Sequence, residues 1–213
     1  MRRRHFMKTL AIGLTGFVGL MEIPVSLAGP LLIPVDTDEN GLTPLAKFFV
    51  TAITSSVPNI NPETDRLTVD GDVTQPLSLR YDELGQQIQQ TQKSLLQCVG
   101  GAKGQASWEG IPLKNILEGV GVGQGVKKVI FYAADGYESS IPIATALKPD
   151  SLLALTMNGE SLWPKHGWPV RLVLPGKYGY KQVKWITRIE LTTRRHKGFW
   201  EQRGYGDDGS IKS

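Results

Sequence analysis

The alternation of apolar and polar residues predicts a chain made mainly of short strands. Residues 66–70 alternate strictly and are followed by the turn residues Asp70-Gly71-Asp72, which predicts a hairpin. Further strands are expected over residues 128–132, 137–143, 152–156, 170–174 and 183–191. The pairs Asp135-Gly136 and Asn158-Gly159 supply tight turns between four of them.

Two segments have the periodicity of helices instead. Leu84 and Ile88 lie four residues apart and predict an amphipathic helix over residues 81–90. A second helix is expected over residues 112–118, with Pro112 in its first turn and Gly119 ending it. Strands outnumber helices and do not alternate with them, so the pattern predicts an α+β fold with mixed sheets and a few short helices.

The single cysteine of the chain, Cys98, stands where the apolar run Leu95-Leu96 gives way to Gly100 and Gly101. This pattern is typical of a strand that ends in a loop, where functional sites are often built. One cysteine cannot form an intrachain disulfide. Judged by its spacing alone, Cys98 is expected to be a small buried apolar residue.

Composition bounds the domain organisation. A chain of 213 residues that is 40% hydrophobic can bury one substantial core. Residues 29–65 contain five prolines and little alternation, so we expect an extended segment that wraps around the same domain. Residues 66–213 form the predicted body of this domain.

The amino terminus has the pattern of a signal peptide over residues 1–28. Basic residues 2–8 precede 13 uncharged residues, 9–21, and small residues follow at 26–28. This apolar run is shorter than the ~20 residues that span a bilayer, which favours a cleaved leader over an anchor. Arg3-Arg4 with Phe6 resembles a twin-arginine signal, which exports folded proteins. The protein is therefore expected in the periplasm or otherwise outside the cytoplasm; membrane tethering by an uncleaved leader is the alternative.

The positive charge is concentrated in this leader. Of the formal net charge of +4, the leader contributes four basic residues and Glu22, so the rest of the chain is close to neutral. A chain without clustered Lys and Arg lacks the electrostatic footprint of nucleic-acid binding. We expect no nucleic-acid partner and a monomer.

Three residue patterns bear on the chemistry. His166 and His196 have no cysteine or carboxylate at zinc-ligand spacing. Cys98 and His166 match a nucleophile and its base but lack a third orienting group, which favours Cys98 as a soft metal ligand. The loop from Lys177 to Lys181 suits either an anion site or a tight turn with solvated lysines, and taken alone the turn is favoured.

Six motifs in order resemble the molybdopterin-binding domain of the sulfite oxidase family, over about residues 42–205. They are Leu96-Gln97-Cys98-x-Gly100, Trp108-x-Gly110-x-Pro112-Leu113, Asp135-Gly136-Tyr137-x-x-Ser140-Ile141-Pro142, Met157-Asn158-Gly159-Glu160-x-Leu162, His166-Gly167-x-Pro169-Val170-Arg171 and Lys184-Trp185.

The resemblance implies the fold of that family and a molybdenum-molybdopterin cofactor. Cys98 then supplies a thiolate to molybdenum, a soft ligation that suits this metal. Tyr137 matches a tyrosine that faces the metal and hydrogen-bonds the oxyanion substrate. The other implied cofactor contacts are His166, Arg171, the segment Gln182-Val183-Lys184, and, on weaker similarity, Phe49 and Val50.

The chain also departs from the sulfite oxidase pattern. Residues 99–103 and the pair Thr51-Ala52 stand where arginines and polar groups that hold an anionic substrate are expected. The resemblance therefore implies oxygen-atom transfer on a small sulfur oxyanion such as sulfite, with a sulfoxide reductase or a non-catalytic secreted binding domain as alternatives. With no room for a haem domain, electrons are expected to pass to a separate cytochrome or membrane haem protein.

Overall fold

Ten strands organise the computed structural model, which describes residues 35–212. In chain order they are β1 (Arg66–Gly71), β2 (Leu77–Arg80), β3 (Gln90–Gln97), β4 (Lys103–Pro112), β5 (Lys128–Ala133), β6 (Glu138–Pro142), β7 (Leu152–Met157), β8 (Glu160–Ser161), β9 (Arg171–Val173) and β10 (Ile186–Thr192). The predicted leader, residues 1–28, lies outside the described residues.

Helices are few and short. The α-helices are α1 (Tyr81–Leu84), α2 (Leu113–Val120) and α3 (Ile143–Ala146); single turns of 3₁₀ helix occur at Gly85–Gln87, Pro164–His166, Gly179–Lys181 and Glu201–Arg203. The α+β class predicted from the sequence is confirmed. Among residues 35–212, no helix has both the length and the apolar character needed to cross a membrane.

The strands form two five-stranded sheets. The first has the order β2-β1-β10-β5-β6, in which β1 runs parallel to β10 and all other pairs are antiparallel. The second has the order β3-β4-β7-β8, with β9 also paired to β7. The run Leu152–Met157 is apolar except for Thr156 because the second sheet is covered on both faces, which selects a nearly continuous rather than an alternating pattern.

Two helix predictions need correction. The segment predicted as one helix over residues 81–90 leaves helical geometry after Gln87, because Gln90 pairs with Gly110 as the first residue of β3. Gly119 does not end α2; Gly121 does, with the positive φ of 68° that a helix end commonly requires of glycine. Tertiary pairing overrides helix periodicity in the first case.

The longest strand, β4, has no counterpart among the predictions, because Gly104 and Gly110 are unfavourable in an isolated strand. Packing explains both glycines. A Cβ at Gly104 would lie 2.5 Å from the ring of Phe48, and one at Gly110 would collide with the backbone carbonyl of Leu153. The close approach of Phe48 and of β7 therefore requires glycine at these positions.

The predicted wrapping segment enters the description at residue 35. Within residues 35–65 the structure describes no helix or strand. Phe48 packs edge-on against Trp108, and the backbone amide of Thr43 donates a hydrogen bond to the Gln105 carbonyl at 2.8 Å. These contacts hold the segment against β4 and bring the residues that follow Phe48 to the candidate site.

Candidate functional site

A cavity opens beside the end of β3 and encloses about 920 Å³ of space, counting the part open to solvent. Six separate parts of the chain contribute to its wall, within residues 49–53, 96–100, 135–137, 165–171, 179–185 and 200–205. All nine site residues predicted from the sequence line it: Phe49, Val50, Cys98, Tyr137, His166, Arg171, Gln182, Val183 and Lys184. The structure thus brings together residues that are up to 135 positions apart in the chain.

Cys98 follows the last residue of β3, as the sequence pattern predicts. Its backbone amide donates to the Ala102 carbonyl at 2.8 Å, and its carbonyl accepts from Gly101 at 3.0 Å, where φ is 94°. The turn leaves Cys98 half-buried at the cavity rather than in the core. The expectation of a buried apolar residue, which rested on spacing alone, is therefore wrong.

The loop of residues 177–181 lies next to Cys98. Tyr178 forms a parallel bridge with Gln97, and a Cβ at Gly179 would lie 3.5 Å from the Gln97 carbonyl oxygen. This contact carries Tyr180 into the cavity wall.

One side of the cavity, which we call the cationic wall, consists of Lys165, His166, Arg171 and Lys184. Arg171 donates through Nη1 to the His166 carbonyl at 2.8 Å, and Lys184 donates through Nζ to the Lys165 carbonyl at 3.1 Å. Gly167 (φ 111°) sits between them: a Cβ there would lie 3.0 Å from Arg171 Cβ and 3.1 Å from Lys184 Cβ. Glycine at this position allows the two cationic side chains to converge.

Within residues 35–212 the cationic wall forms no ion pair, although the carboxylate of Asp135, which also lines the cavity, is near enough to oppose the lowering of the Lys184 pKa. Among the described residues, no carboxylate lies within 4.0 Å of the charged nitrogens of Lys165, Arg171 or Lys184. Arg171 is 4% exposed and its buried Nε has no hydrogen-bond partner. Burial lowers the pKa of Arg171 to about 10, and burial followed by the charge of Arg171 lowers that of Lys184 to about 8. Both remain cationic at neutral pH, an arrangement that suits a phosphate group.

His166 is neutral in this environment. Its Nε2 donates to the Leu45 carbonyl at 3.1 Å, which leaves Nδ1 as a hydrogen-bond acceptor. Burial and, to a smaller extent, the charges of the three neighbouring cations lower the pKa of His166 to about 4, against the opposing effect of the Leu45 hydrogen bond. The ring is fixed between Phe48 and Trp163.

A second set of lining residues, which we call the aromatic wall, consists of Tyr137, Tyr180, Trp200 and Tyr205. The Tyr137 hydroxyl donates to the Tyr180 carbonyl at 2.5 Å, so its oxygen can only accept a further hydrogen bond in this conformation. Burial, followed by the negative charge of Glu201, raises the pKa of Tyr137 well above its ordinary value. Tyr205 packs against both Tyr180 and Trp200, at ring distances of 5.3 and 4.9 Å.

Comparison with known proteins assigns the family. Residues 54–200 match the family model described as oxidoreductase molybdopterin binding domain. The oxidoreductase YuiH of Bacillus subtilis is 33% identical over 175 residues, which cover 79% of this chain and 88% of YuiH. The chain belongs to the oxidoreductase molybdopterin-binding domain family.

Other relatives in this molybdopterin-binding family are longer than the matched region. A protein of Azospira oryzae named as a protein-methionine-sulfoxide reductase subunit, YedZ1, is 36% identical over 70% of this chain and 57% of its own length. Human mitochondrial sulfite oxidase is 34% identical over 78% of this chain and 36% of its own. The sulfane dehydrogenase SoxCD of Paracoccus pantotrophus superposes with a TM-score of 0.68 at 26% identity, covering 72% of this chain and 44% of that chain. The chain spans about half or less of these three.

The molybdopterin-binding family implies a molybdenum-molybdopterin cofactor, and the residues of the cavity fit it. The unpartnered Nε of Arg171 and the unpaired charges of the cationic wall suit the pterin phosphate. Cys98 offers a thiolate, the soft ligand that such a metal favours. No group of three His, Cys, Asp or Glu side chains suited to a metal ion occurs within residues 35–212.

The remaining predicted contacts differ in what they can offer a cofactor. The Gln182 side chain donates to the Lys177 carbonyl at 2.9 Å and accepts from the Leu174 amide at 3.3 Å, so it is already used within the protein. Val183 is buried. Phe49 stacks on Phe48, and Val50 is 45% exposed at the cavity mouth.

Sequence reasoning did not include three of the four residues of the aromatic wall among the site residues. It also favoured solvent exposure for the lysines of the neighbouring loop. Tyr180, Trp200 and Tyr205 line the cavity, although only the recurrence of aromatic residues near glycines marks them in the sequence. The favoured expectation of solvated lysines in the loop is wrong. Lys181 is fully buried against Glu201, and Lys177 is buried beside Asp208, because the carboxy-terminal residues fold back over this loop.

Proposed function

We propose that this protein is an exported molybdenum oxidoreductase that transfers an oxygen atom to or from the sulfur of a small substrate. The observation that carries the proposal is the joint presence, in one cavity, of a half-buried thiol and a buried cation with no counter-ion. The thiol of Cys98 suits the metal, and Arg171 suits the phosphate of the same cofactor. A binding domain without catalysis, the alternative that the sequence left open, gains no support from this pairing.

The protein's own residues have distinct tasks in this proposal. Arg171 and Lys184 would hold the pterin phosphate, and the unprotonated Nδ1 of His166 would offer the cofactor a hydrogen-bond acceptor. Cys98 is the one protein ligand of the metal. Bound molybdopterin supplies the two-electron oxygen-transfer chemistry. Tyr137, held by Tyr180, presents its hydroxyl oxygen at the substrate position.

The apolar mouth of the cavity favours a sulfoxide as the substrate. Val50, Val99 and Tyr205 line the cavity and are 45%, 49% and 36% exposed, although large apolar side chains are usually withdrawn from water. Sulfite is an anion and needs cationic hydrogen-bond donors, whereas a sulfoxide carries carbon substituents that such a surface can cover. Reduction of the sulfoxide consumes two electrons and two protons and releases a thioether and water.

Oxidation of sulfite remains the second candidate, and Lys165 is the observation that favours it. Lys165 lines the cavity, is partly exposed and has no carboxylate within 4.0 Å of its charged nitrogen among the described residues, so it is available to an anionic substrate. The similarity to sulfite oxidase points the same way. In either direction, the proposal includes a separate electron-transfer protein, either a cytochrome or a membrane haem protein.

Metal analysis tests the cofactor first. We expect molybdenum in the protein purified from a host that makes molybdopterin, and we expect Cys98→Ser to remove the metal or strip it of activity. A wild-type protein without molybdenum would refute the proposal. Undiminished molybdenum and turnover in Cys98→Ser would refute the role of Cys98.

Two assays then decide the direction. Viologen-driven reduction of methionine sulfoxide is expected, and sulfite-dependent reduction of cytochrome is expected to be weak. Val99→Arg should shift this preference towards sulfite, because it adds a cation beside Cys98; Lys103→Arg changes a basic residue of β4 outside the cavity lining and is the matched control. Activity with sulfite alone would reverse the direction proposed here.

Export is tested separately. Replacement of Arg3 and Arg4 by lysine should retain the protein in the cytoplasm, because the twin-arginine pathway requires that pair. Unchanged export of the double-lysine variant would contradict the proposed route.

A further inference from the structure

A buried ion pair lies behind the aromatic wall. The side chains of Lys181 and Glu201 are in direct contact and are 0% and 1% exposed. Lys181 also donates to the Ser140 carbonyl at 2.9 Å, and Ser139 donates through Oγ to Glu201 Oε1 at 3.0 Å. An ion pair withdrawn from water in this way is seldom more stabilising than apolar residues of the same size. Its position is therefore more informative than its energy.

The pair joins the three chain segments that make up the aromatic wall. Lys181 ends the turn Gly179–Lys181 directly after Tyr180, and Glu201 begins the turn Glu201–Arg203 directly after Trp200. Ser139 and Ser140 belong to β6, which begins one residue after Tyr137. A single ammonium group thus ties the segments of Tyr180, Trp200 and Tyr137 together.

The surroundings leave the pair no room to rearrange. A Cβ at Gly198 would lie 2.9 Å from Glu201 Oε2, and a Cβ at Gly209 would lie 2.5 Å from Lys181 Cγ. From the other side, the Tyr180 hydroxyl donates to the Gly206 carbonyl at 2.7 Å. The Tyr180 loop is therefore fixed both by the Lys181–Glu201 pair and by the hydrogen bond to the carboxy-terminal segment.

We propose that the Lys181–Glu201 pair is a positioning device for Tyr137. It fixes the Tyr180 carbonyl where this carbonyl accepts the Tyr137 hydroxyl, and it thereby sets the direction in which the Tyr137 oxygen faces the substrate. Neither charged residue lines the cavity, so both act through Tyr180. The inference rests on the proposed function only in that a substrate lies next to the Tyr137 hydroxyl. The positioning of Tyr137 itself is a property of the chain.

The double variant Lys181→Met/Glu201→Met tests the device without leaving a buried charge unpaired. We expect it to fold with a melting temperature close to that of the wild type, because apolar residues often replace a buried pair at little cost. Hydrogen exchange at the amides of residues 181 and 182 should become about tenfold faster as the loop opens locally. The kcat should fall severalfold with a smaller change in KM, since the affinity of the apolar mouth is unchanged.

The matched control is Asp70→Asn/Arg188→Met. It removes the ion pair of 2.9 Å between Asp70 and Arg188, which are 36% and 40% exposed on the first sheet away from the cavity, and with it the 3.1 Å ion pair of Arg188 with Glu190. Exchange at residues 181 and 182, and kcat, should stay at wild-type values. Equal exchange in the double variant and the wild type, with unchanged kcat, would overturn the proposal.

Two further measurements keep the outcome decisive. If the double variant does not fold, Ser139→Ala removes the Ser139 hydrogen bond to Glu201, together with the interaction of Ser139 with the Tyr137 hydroxyl, and should still raise exchange at residue 181. Exchange is measured on the purified chain without substrate. A wild-type enzyme inactive on both sulfur substrates would therefore refute the proposed function, while unchanged exchange would refute the positioning role.

Discussion

The two walls of the cavity treat buried charge in opposite ways. On the cationic wall, Arg171 is buried with an unpartnered Nε and no carboxylate within 4.0 Å among the described residues. Behind the aromatic wall, Lys181 is at least as deeply buried but contacts Glu201 and the Ser140 carbonyl. The two cations are ten positions apart in the chain.

The difference distinguishes a charge that awaits a ligand from a charge that supports the structure. A buried cation without a counter-ion costs free energy in the isolated chain, and a bound anion recovers that cost. A buried cation whose partner is a protein carboxylate has no such vacancy. Burial alone therefore does not identify a binding residue; of these two cations, only the one without a carboxylate partner among the described residues is open to an anionic ligand.

The largest expected effect concerns the stability of these two cations. Lys181→Met leaves Glu201 buried and unpaired, and should lower the free energy of unfolding by about 3–5 kcal/mol. Arg171→Met should change it by less than about 2 kcal/mol in the cofactor-free protein, since a lost hydrogen bond and a lost contact with Trp108 are offset by relieved desolvation. Urea unfolding of both variants measures the difference. Equal losses would remove the distinction between the walls.

The two variants should rank in the opposite order when cofactor binding is measured instead of stability. We expect Arg171→Met to lower the affinity for the cofactor about 10–100-fold, the effect usual for residues that orient a metal site. Lys181→Met protein that has been refolded at low temperature should load normally. Molybdenum and pterin content per chain are the measurements, and full loading of Arg171→Met would contradict its role.

Gly167 offers a sharper test of the cationic wall. Gly167→Ala places a Cβ 3.0 Å from Arg171 and imposes a positive φ, so we expect a loss of about 1–2 kcal/mol together with reduced cofactor loading. Gly204→Ala is the matched control: Gly204 also ends a 3₁₀ turn with positive φ (92°) but has open space at its Cβ. It should lose stability by a smaller amount and keep its cofactor. Normal cofactor loading of both variants would argue against the convergence of the Arg171 and Lys184 side chains at Gly167.

A substitution in the aromatic wall should change the turnover number without changing the molybdenum content. Tyr137→Phe removes the hydroxyl that donates to Tyr180, and should lower kcat severalfold while the molybdenum content stays at the wild-type value. Tyr132→Phe is a control in which another partly buried tyrosine, hydrogen-bonded to Glu190 and outside this cavity, loses its hydroxyl. Unchanged kinetics in Tyr137→Phe would remove Tyr137 from the site.

The smallest expected effect is a dependence of stability on pH. The pKa of His166 is about 4 in the folded chain and near 6.5 when unfolded. Between these values the unfolded chain binds a proton that the folded chain does not, so stability falls as the pH is lowered from 6.5 to 4. His166→Gln should make this fall shallower in urea titrations of the cofactor-free protein, whereas His196→Gln tests a histidine outside the cationic wall. An unchanged slope in His166→Gln would contradict a neutral, buried His166.

The sequence by itself determined much of the framework. Local patterns were sufficient for most strands, for the turns at Asp135-Gly136 and Asn158-Gly159, and for Cys98 at a strand end, because these features depend on neighbouring residues. The six motifs in their order were sufficient to assign the family. Local patterns did not predict β4, because its glycines are explained only by the close approach of Phe48 and Leu153.

Only the tertiary structure decided which basic residues are available to a ligand. In the sequence, Arg171 and Lys181 are both basic residues near glycines. The partner of Lys181, Glu201, comes 20 positions later and reaches it because the chain after β10 folds back over the cavity. Coulomb energies depend on distances in space, and no local pattern contains the distance between Lys181 and Glu201 or the absence of a carboxylate near Arg171.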